Sequence, residues 1–201
     1  MVLECSYFSD GSSLGNTTTT KKDRMNEDEG NWISTLHVKT FHFLSPQPDE
    51  INILDIAHAL SMTCRFGGHI NRFYSVAEHC VRLQDFVEPK SRLAALLHDS
   101  EEAYIPDIPR PIKNRLPEAE EMGTKIRKAI LKKYGASSAD WKSIRDLDNR
   151  LLKAEAVQLG VYNSGWEELG APIVVYDLGW APSKAEENFL RAFENIYAKQ
   201  K

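Results

Sequence analysis

The stretch Ser91-Arg92-Leu93-Ala94-Ala95-Leu96-Leu97-His98-Asp99 does most to limit how this chain can fold. The run Leu93 to Leu97 gives a helix that is apolar all round, and such a helix must lie at the centre of a domain with other helices packed about it. Ser91 stands where it can cap the helix start. A histidine and an aspartate follow at once, so two strongly polar side chains arrive near the middle of the protein. Burying them is costly unless something pairs with them. A divalent cation is one economical partner, because imidazole and carboxylate together suit zinc, manganese, iron or cobalt. The plainer reading is a polar helix end with Asp99 in solvent.

The remaining pattern is also helical. Ile53, Ile56, Ala57 and Leu60 follow i, i+3, i+4, i+7 spacing and predict a helix over about Asp55 to Cys64. Arg65-Phe66-Gly67-Gly68-His69 breaks it, since paired glycines allow a tight turn. Ser75-Val76-Ala77-Glu78 is a capping-box pattern that opens a second helix before Pro89. Residues 105–117 hold four prolines and read as loop. Pro117 with its acidic followers opens a long helix that Lys132, Lys133 and Gly135 close. Another runs from about Ser143 to Leu159, and residues 161–182 read as loop with a short strand at Ile173–Tyr176. Ser183-Lys184-Ala185-Glu186 caps a last helix with Phe189, Phe193, Ile196 and Tyr197 inward. Ahead of all this, Leu36, Val38, Phe41 and Phe43 alternate with polar residues as a short extended segment or hairpin. The expected architecture is all-α, a bundle of five or six helices or more.

From Ser9 to Asn31 the only aliphatic or thioether residues are Leu14 and Met25. Such a segment cannot bury enough surface to offset its ordering entropy, so residues 1–31 are expected to be a disordered tail and 32–201 the folded domain. The 25 lysines and arginines against 29 aspartates and glutamates leave a net charge of −4, which excludes general binding of nucleic-acid polymers but allows one local basic pocket. The longest apolar run, Ala171 to Tyr176, is too short for a bilayer-spanning helix, and no membrane partner is expected. The three cysteines are odd in number and lack a CxxC, which argues against a disulfide framework or a zinc knuckle. The residues after Met1 show neither a basic nor a long apolar signal region, so a cytoplasmic protein is expected.

Other polar residues fall on core-facing positions. His79 shares a helix face with Leu83 and Phe86, and Asp148 shares one with Ile144, Leu151 and Leu152. Glu102 lies at His98 + 4 and Asp99 + 3, on the same face if the helix continues. Each alone has an ordinary reading as a satisfied core histidine or a paired carboxylate. Together His79, His98, Asp99 and Asp148 suggest a shared metal site.

The chain resembles the HD-domain phosphohydrolases, and within them the group containing bacterial 5′-deoxynucleotidases and phage dATP triphosphohydrolases. The resemblance runs from about Phe41 to the C-terminus. It is carried by Asp55-Ile56-Ala57-His58-Ala59-Leu60-Ser61, Arg65-Phe66-Gly67-Gly68-His69 and Tyr74-Ser75-Val76-Ala77-Glu78-His79. It continues through His98-Asp99-Ser100-Glu101-Glu102-Ala103-Tyr104, Asp107-Ile108-Pro109-Arg110-Pro111-Ile112-Lys113 and Leu147-Asp148. It implies an HD bundle, metal ligands His79, His98, Asp99 and Asp148, and a divalent cofactor among cobalt, manganese, zinc, magnesium and iron. Glu102 then matches a catalytic glutamate acting on water, and Asp107 an acidic residue at the substrate edge. Arg65 matches a phosphate-contacting arginine and Phe66 an aromatic that helps exclude a 2′-hydroxyl. Lys113 and Arg145 match basic positions that neutralise phosphate, with ordinary surface charge as the alternative. His69 stands either to touch substrate or to cap the turn.

The implied activity is cleavage of the 5′ phosphoester of a deoxynucleotide, releasing nucleoside with phosphate or triphosphate, by a homo-oligomer acting on a small-molecule substrate. An alarmone or cyclic nucleotide is the alternative substrate, and a non-catalytic nucleotide sensor the alternative class. No GxxxxGK[ST] loop and no Gly-x-Ser-x-Gly motif is present, which excludes a P-loop enzyme and a serine elbow.

Overall fold

The apolar all-round helix is the key to the packing. In a computed structural model that describes residues 30–136 and 140–199, it forms α3, Arg92–Leu96, and lies between two hydrophobic cores. Leu93, Leu96 and Leu97 join the first core with Ile56, Val76, Ile130 and Phe189. Ala94 and Ala95 join the second with Tyr74, Leu83, Ile144 and Leu151. Each fully buried leucine contributes about 1.5–3 kcal/mol, so a polar residue on any face of α3 would be destabilising.

The other described helices are α1 Ile53–Met62, α2 Val76–Leu83, the single turn α4 Arg110–Lys113, α5 Pro117–Tyr134, α6 Trp141–Gln158 and α7 Pro182–Tyr197. The fold is all-α, as expected. The C-terminal α7 packs on α1, α2 and α3, α6 packs on α2, and α5 packs on the 3-10 turn Ser100–Ala103. The expected hairpin is a two-residue antiparallel pair, β1 Trp32–Ile33 with β2 Phe41–His42. Its loop is tied to α1, where Asp55 accepts from the backbone N–H groups of His37 (2.7 Å) and Val38 (3.1 Å). Among the described residues no helix is long and apolar enough to cross a membrane. The tail expected over residues 1–31 lies outside the described residues, except for its last two.

Several expectations shift in detail. The first helix begins at Ile53, because Asn52 caps it by accepting from Leu54 N (2.9 Å). The helix expected from Ser143 begins at Trp141, with Asp140 as its cap. The proline-rich 105–117 segment contains the turn α4. Ser183 is not a cap: Pro182 is the first residue of α7, after Ala181. Glu78 makes only half a capping box. Ser75 Oγ accepts from Glu78 N (3.1 Å), but the Glu78 carboxylate turns to Arg82, Gly179 and Trp180.

Residues 173–176 form no strand. Their alternation is that of a strand, with Ile173 and Val175 buried and Val174 and Tyr176 exposed. Their backbone is instead strapped to helices: Ile173 N donates to Arg150 O (3.3 Å), Gln158 Nε2 donates to the Val175 carbonyl, and Arg82 Nη1 to the Tyr176 carbonyl (2.9 Å).

Candidate metal centre

His79 sits in the middle of α2 and is fully buried. His98 and Asp99 follow the C-terminus of α3, where the chain tightens into the 3-10 turn. Asp148 projects from the middle of α6. Their donor atoms converge. His79 Nε2 lies 3.3 Å from His98 Nε2 and 3.1 Å from Asp148 Oδ1. His98 Nε2 lies 3.0 Å from Asp99 Oδ2 and 3.9 Å from Asp148 Oδ1.

The hydrogen bonds behind the rings show what this cluster can hold. His79 Nδ1 is 2.7 Å from the carboxylate of Glu155, and His98 Nδ1 is 2.8 Å from the Ala95 carbonyl. Both partners accept, so both Nδ1 atoms donate, and each neutral ring turns an Nε2 lone pair toward the cluster. Two imidazole lone pairs and two carboxylate oxygens therefore face one another. Such a set suits a divalent cation with mixed nitrogen and oxygen donors, and Glu155 is the outer carboxylate that commonly orients a ligating histidine. His79, His98 and Asp148 thus could hold a metal ion, and Asp99 stands beside them. Without a cation the same acceptors draw a proton instead: although burial opposes a charge on His98, Asp99 lifts its pKa well above the usual histidine range, so a metal ion would displace that proton. For His79, burial and Arg65 oppose the charge, and Glu155 and Asp148 outweigh them.

A second grouping joins Cys80 to His98 and Asp99. Cys80 Sγ is 3.8 Å from His98 Nδ1, the nitrogen already bonded to Ala95, so it sits behind the ring rather than at the convergence point. Burial pushes its thiol up to about 11, which keeps it protonated and a poor ligand.

Asp99 and Asp148 open into a cavity of about 660 Å³, within the range of small-molecule sites. Eight of the residues singled out in the sequence line it: Arg65, Phe66, His69, Asp99, Glu102, Asp107, Lys113 and Asp148. Arg65, Phe66 and His69 come from one loop, closed where Arg65 N donates to Tyr74 O (2.9 Å). The buried Arg65 places Nη1 3.5 Å from Asp99 and Nε 3.4 Å from Glu155. Glu102 is carried by the turn Ser100–Ala103, not by a continued α-helix. Burial, then Asp99 and Asp107, raise its pKa well above the ordinary glutamate value. Lys113 lies 3.4 Å from Glu120.

Arg145 is a correction. It is exposed on α6 and does not line the cavity. Arg110 stands there instead, with Nη2 3.9 Å from Asp148 and Nη1 donating to Asn149 (3.0 Å). Sequence reading also missed Glu155 and Trp166. Glu155 was findable, because it lies seven residues after Asp148 and continues the same inward face of α6.

A helical protein with a buried histidine–aspartate cluster opening on a cavity is the class that fold and site define. No protein-family model matches the chain. It is 36% identical over 169 residues to the uncharacterized protein YfdR of Escherichia coli, covering 82% of this chain and 95% of YfdR. It is 31% identical over 146 residues to the uncharacterized protein RCAP_rcc00048 of Rhodobacter capsulatus, covering 66% of this chain and 74% of that protein. The chain belongs to the family of YfdR.

Proposed function

We propose that residues 32–201 form an HD-type, metal-dependent phosphohydrolase that cleaves the 5′ phosphoester of deoxynucleotides. The observation that carries this reading is the convergence of His79, His98, Asp99 and Asp148 on one point beneath a cavity that also holds Arg65, Arg110 and Lys113. A divalent cation held by the four ligands would supply positive charge to phosphate oxygens and lower the pKa of a water. The chain's own residues do the rest. Glu102 lines the same cavity on the turn that follows His98 and Asp99, and a carboxylate raised by burial is a stronger base toward attacking water than an ordinary glutamate. Arg65 is fixed between Asp99 and Glu155 and offers its guanidinium to the phosphate, with Lys113 and Arg110 as further positive charge. Asp107 also lines the cavity and supports the positive charge of Arg65.

The test is to incubate the purified protein with each deoxynucleoside mono-, di- and triphosphate plus manganese or cobalt and identify the products. Deoxynucleoside with phosphate or triphosphate is the expected outcome. Metal-loaded protein that releases neither from any of them would overturn the proposal.

A further inference from the structure

Two aromatic rings line the cavity and are not used by the phosphate chemistry. Trp166, on the 3-10 turn Ser164–Leu169, and Phe66 line it with rings inclined by only 21° and centroids 6.0 Å apart. Trp166 belongs to neither hydrophobic core. Both rings are nonetheless held. Phe66 sits at φ 58° and ψ 24°, a left-handed conformation that a bulky side chain adopts only at a cost. The turn bearing Trp166 is started by Asn163, whose Oδ1 accepts from Gly165 N (3.0 Å), and it packs on α6, the helix of Asp148.

The order of groups in space is informative. Arg65 touches Asp99 of the cluster at 3.5 Å, its guanidinium carbon is 5.7 Å from the Phe66 ring centroid, and that centroid is 6.0 Å from the Trp166 ring. This chain of neighbours, from the acidic cluster to a guanidinium, a small aromatic and a large flat one, parallels the sequence of phosphate, sugar and base in a nucleotide.

We infer that Trp166 is the stacking platform for the nucleobase, so the cavity takes nucleoside 5′-phosphates in preference to sugar phosphates or inorganic phosphates. The position given to the phosphate rests on the phosphohydrolase reading; the stacking does not. Every base has a π-face, so Trp166 selects for the presence of a base without choosing among bases.

Affinities are measured by calorimetry on metal-loaded protein in a Glu102→Gln background, where turnover is slowed by a factor on the order of 10². The ligands are deoxyadenosine 5′-monophosphate and 5′-triphosphate, with deoxyribose 5-phosphate and inorganic triphosphate as base-free counterparts. Trp166→Ala should weaken the nucleotides by on the order of 10-fold relative to those counterparts, and Trp166→Phe should restore most of the loss. An equal effect on both sets, no effect on either, or a Trp166-bearing protein that binds nucleotides no better than base-free ligands overturns the inference. Preferential nucleotide binding lost in Trp166→Ala, together with no turnover by the unmutated protein, would overturn the phosphohydrolase reading and leave the platform standing.

Discussion

Glu78 and His79 are consecutive on α2, both fully buried and both among charged partners, yet their surroundings differ in kind. Around Glu78 each acceptor meets a donor. Arg82 donates through Nε (2.9 Å) and Nη2 (2.6 Å), and the N–H groups of Gly179 (3.2 Å) and Trp180 (2.7 Å) close the rest. Arg82 then reaches the carbonyls of Tyr176 and Asp177, so the network pins the segment ahead of α7 to α2. Around the His79 ring, Nε2 meets the lone pairs of His98, Asp99 and Asp148. A buried polar cluster whose donors and acceptors balance builds architecture; one rich in acceptors is built to receive positive charge from outside.

The sharpest way to break this contrast is Asp148→Ala. It should abolish metal retention, measured by elemental analysis after gel filtration, and with it turnover, a loss larger than the 10–100-fold typical of outer partners. Compared without metal, the variant should also lose some stability at neutral pH, because, although burial opposes it, His79 and His98 hold the Asp148 carboxyl below the ordinary aspartate range, a contribution that fades as the pH falls through that lowered pKa. Normal metal binding would remove Asp148 from the ligand set; Asp146 could not replace it, being exposed and paired with Arg150 at 3.8 Å. Glu78→Ala should do the reverse. It removes the acceptor of Arg82 Nε and strands the Gly179 and Trp180 backbone donors, and should cost about 3 kcal/mol in urea unfolding, over 100-fold in the folding equilibrium, with metal stoichiometry kept.

Glu102→Gln should keep metal and lose turnover by a factor on the order of 10², the usual worth of a positioned base. Retained turnover would sink the role given to Glu102. The smallest effect is expected for Glu155→Gln, which keeps the shape of the His79 contact but weakens its charge. A metal affinity lower by about 10-fold, with unfolding little changed, would mark Glu155 as tuning His79. A large loss of stability without a change in affinity would instead place Glu155 with the architectural group of Glu78.

The sequence was most legible where a single periodicity governs burial. The apolar run ending in His98-Asp99 required a central helix, and α3 is that helix. His79 was read inward from Leu83 and Phe86; it is inward, although Phe86 is 38% exposed and was a poor guide. Arg145 and Asp148 lie three apart on α6, and the inward stripe of Ile144 and Leu151 takes the aspartate and turns the arginine out. Arg110 was illegible because its proline-rich segment has no periodicity, and only the folded turn α4 brings it to Asp148. The apolar run 173–176 misled because a strand needs a neighbour, and the neighbours here are the Arg150 carbonyl and the side chains of Gln158 and Arg82 on two helices.

The four clustered groups come from α2, the end of α3 and the middle of α6, so only His98 and Asp99 are neighbours in the chain. An unfolded chain therefore offers a cation little beyond that one dipeptide, and the full set exists only after the non-local packing of three helices is complete. Cation capture would fall at the end of refolding, and bound ion would stabilise the folded state by mass action, by about 2.7 kcal/mol at a concentration one hundred times its dissociation constant. In a cell, the lifetime of such a protein would follow the supply of its ion.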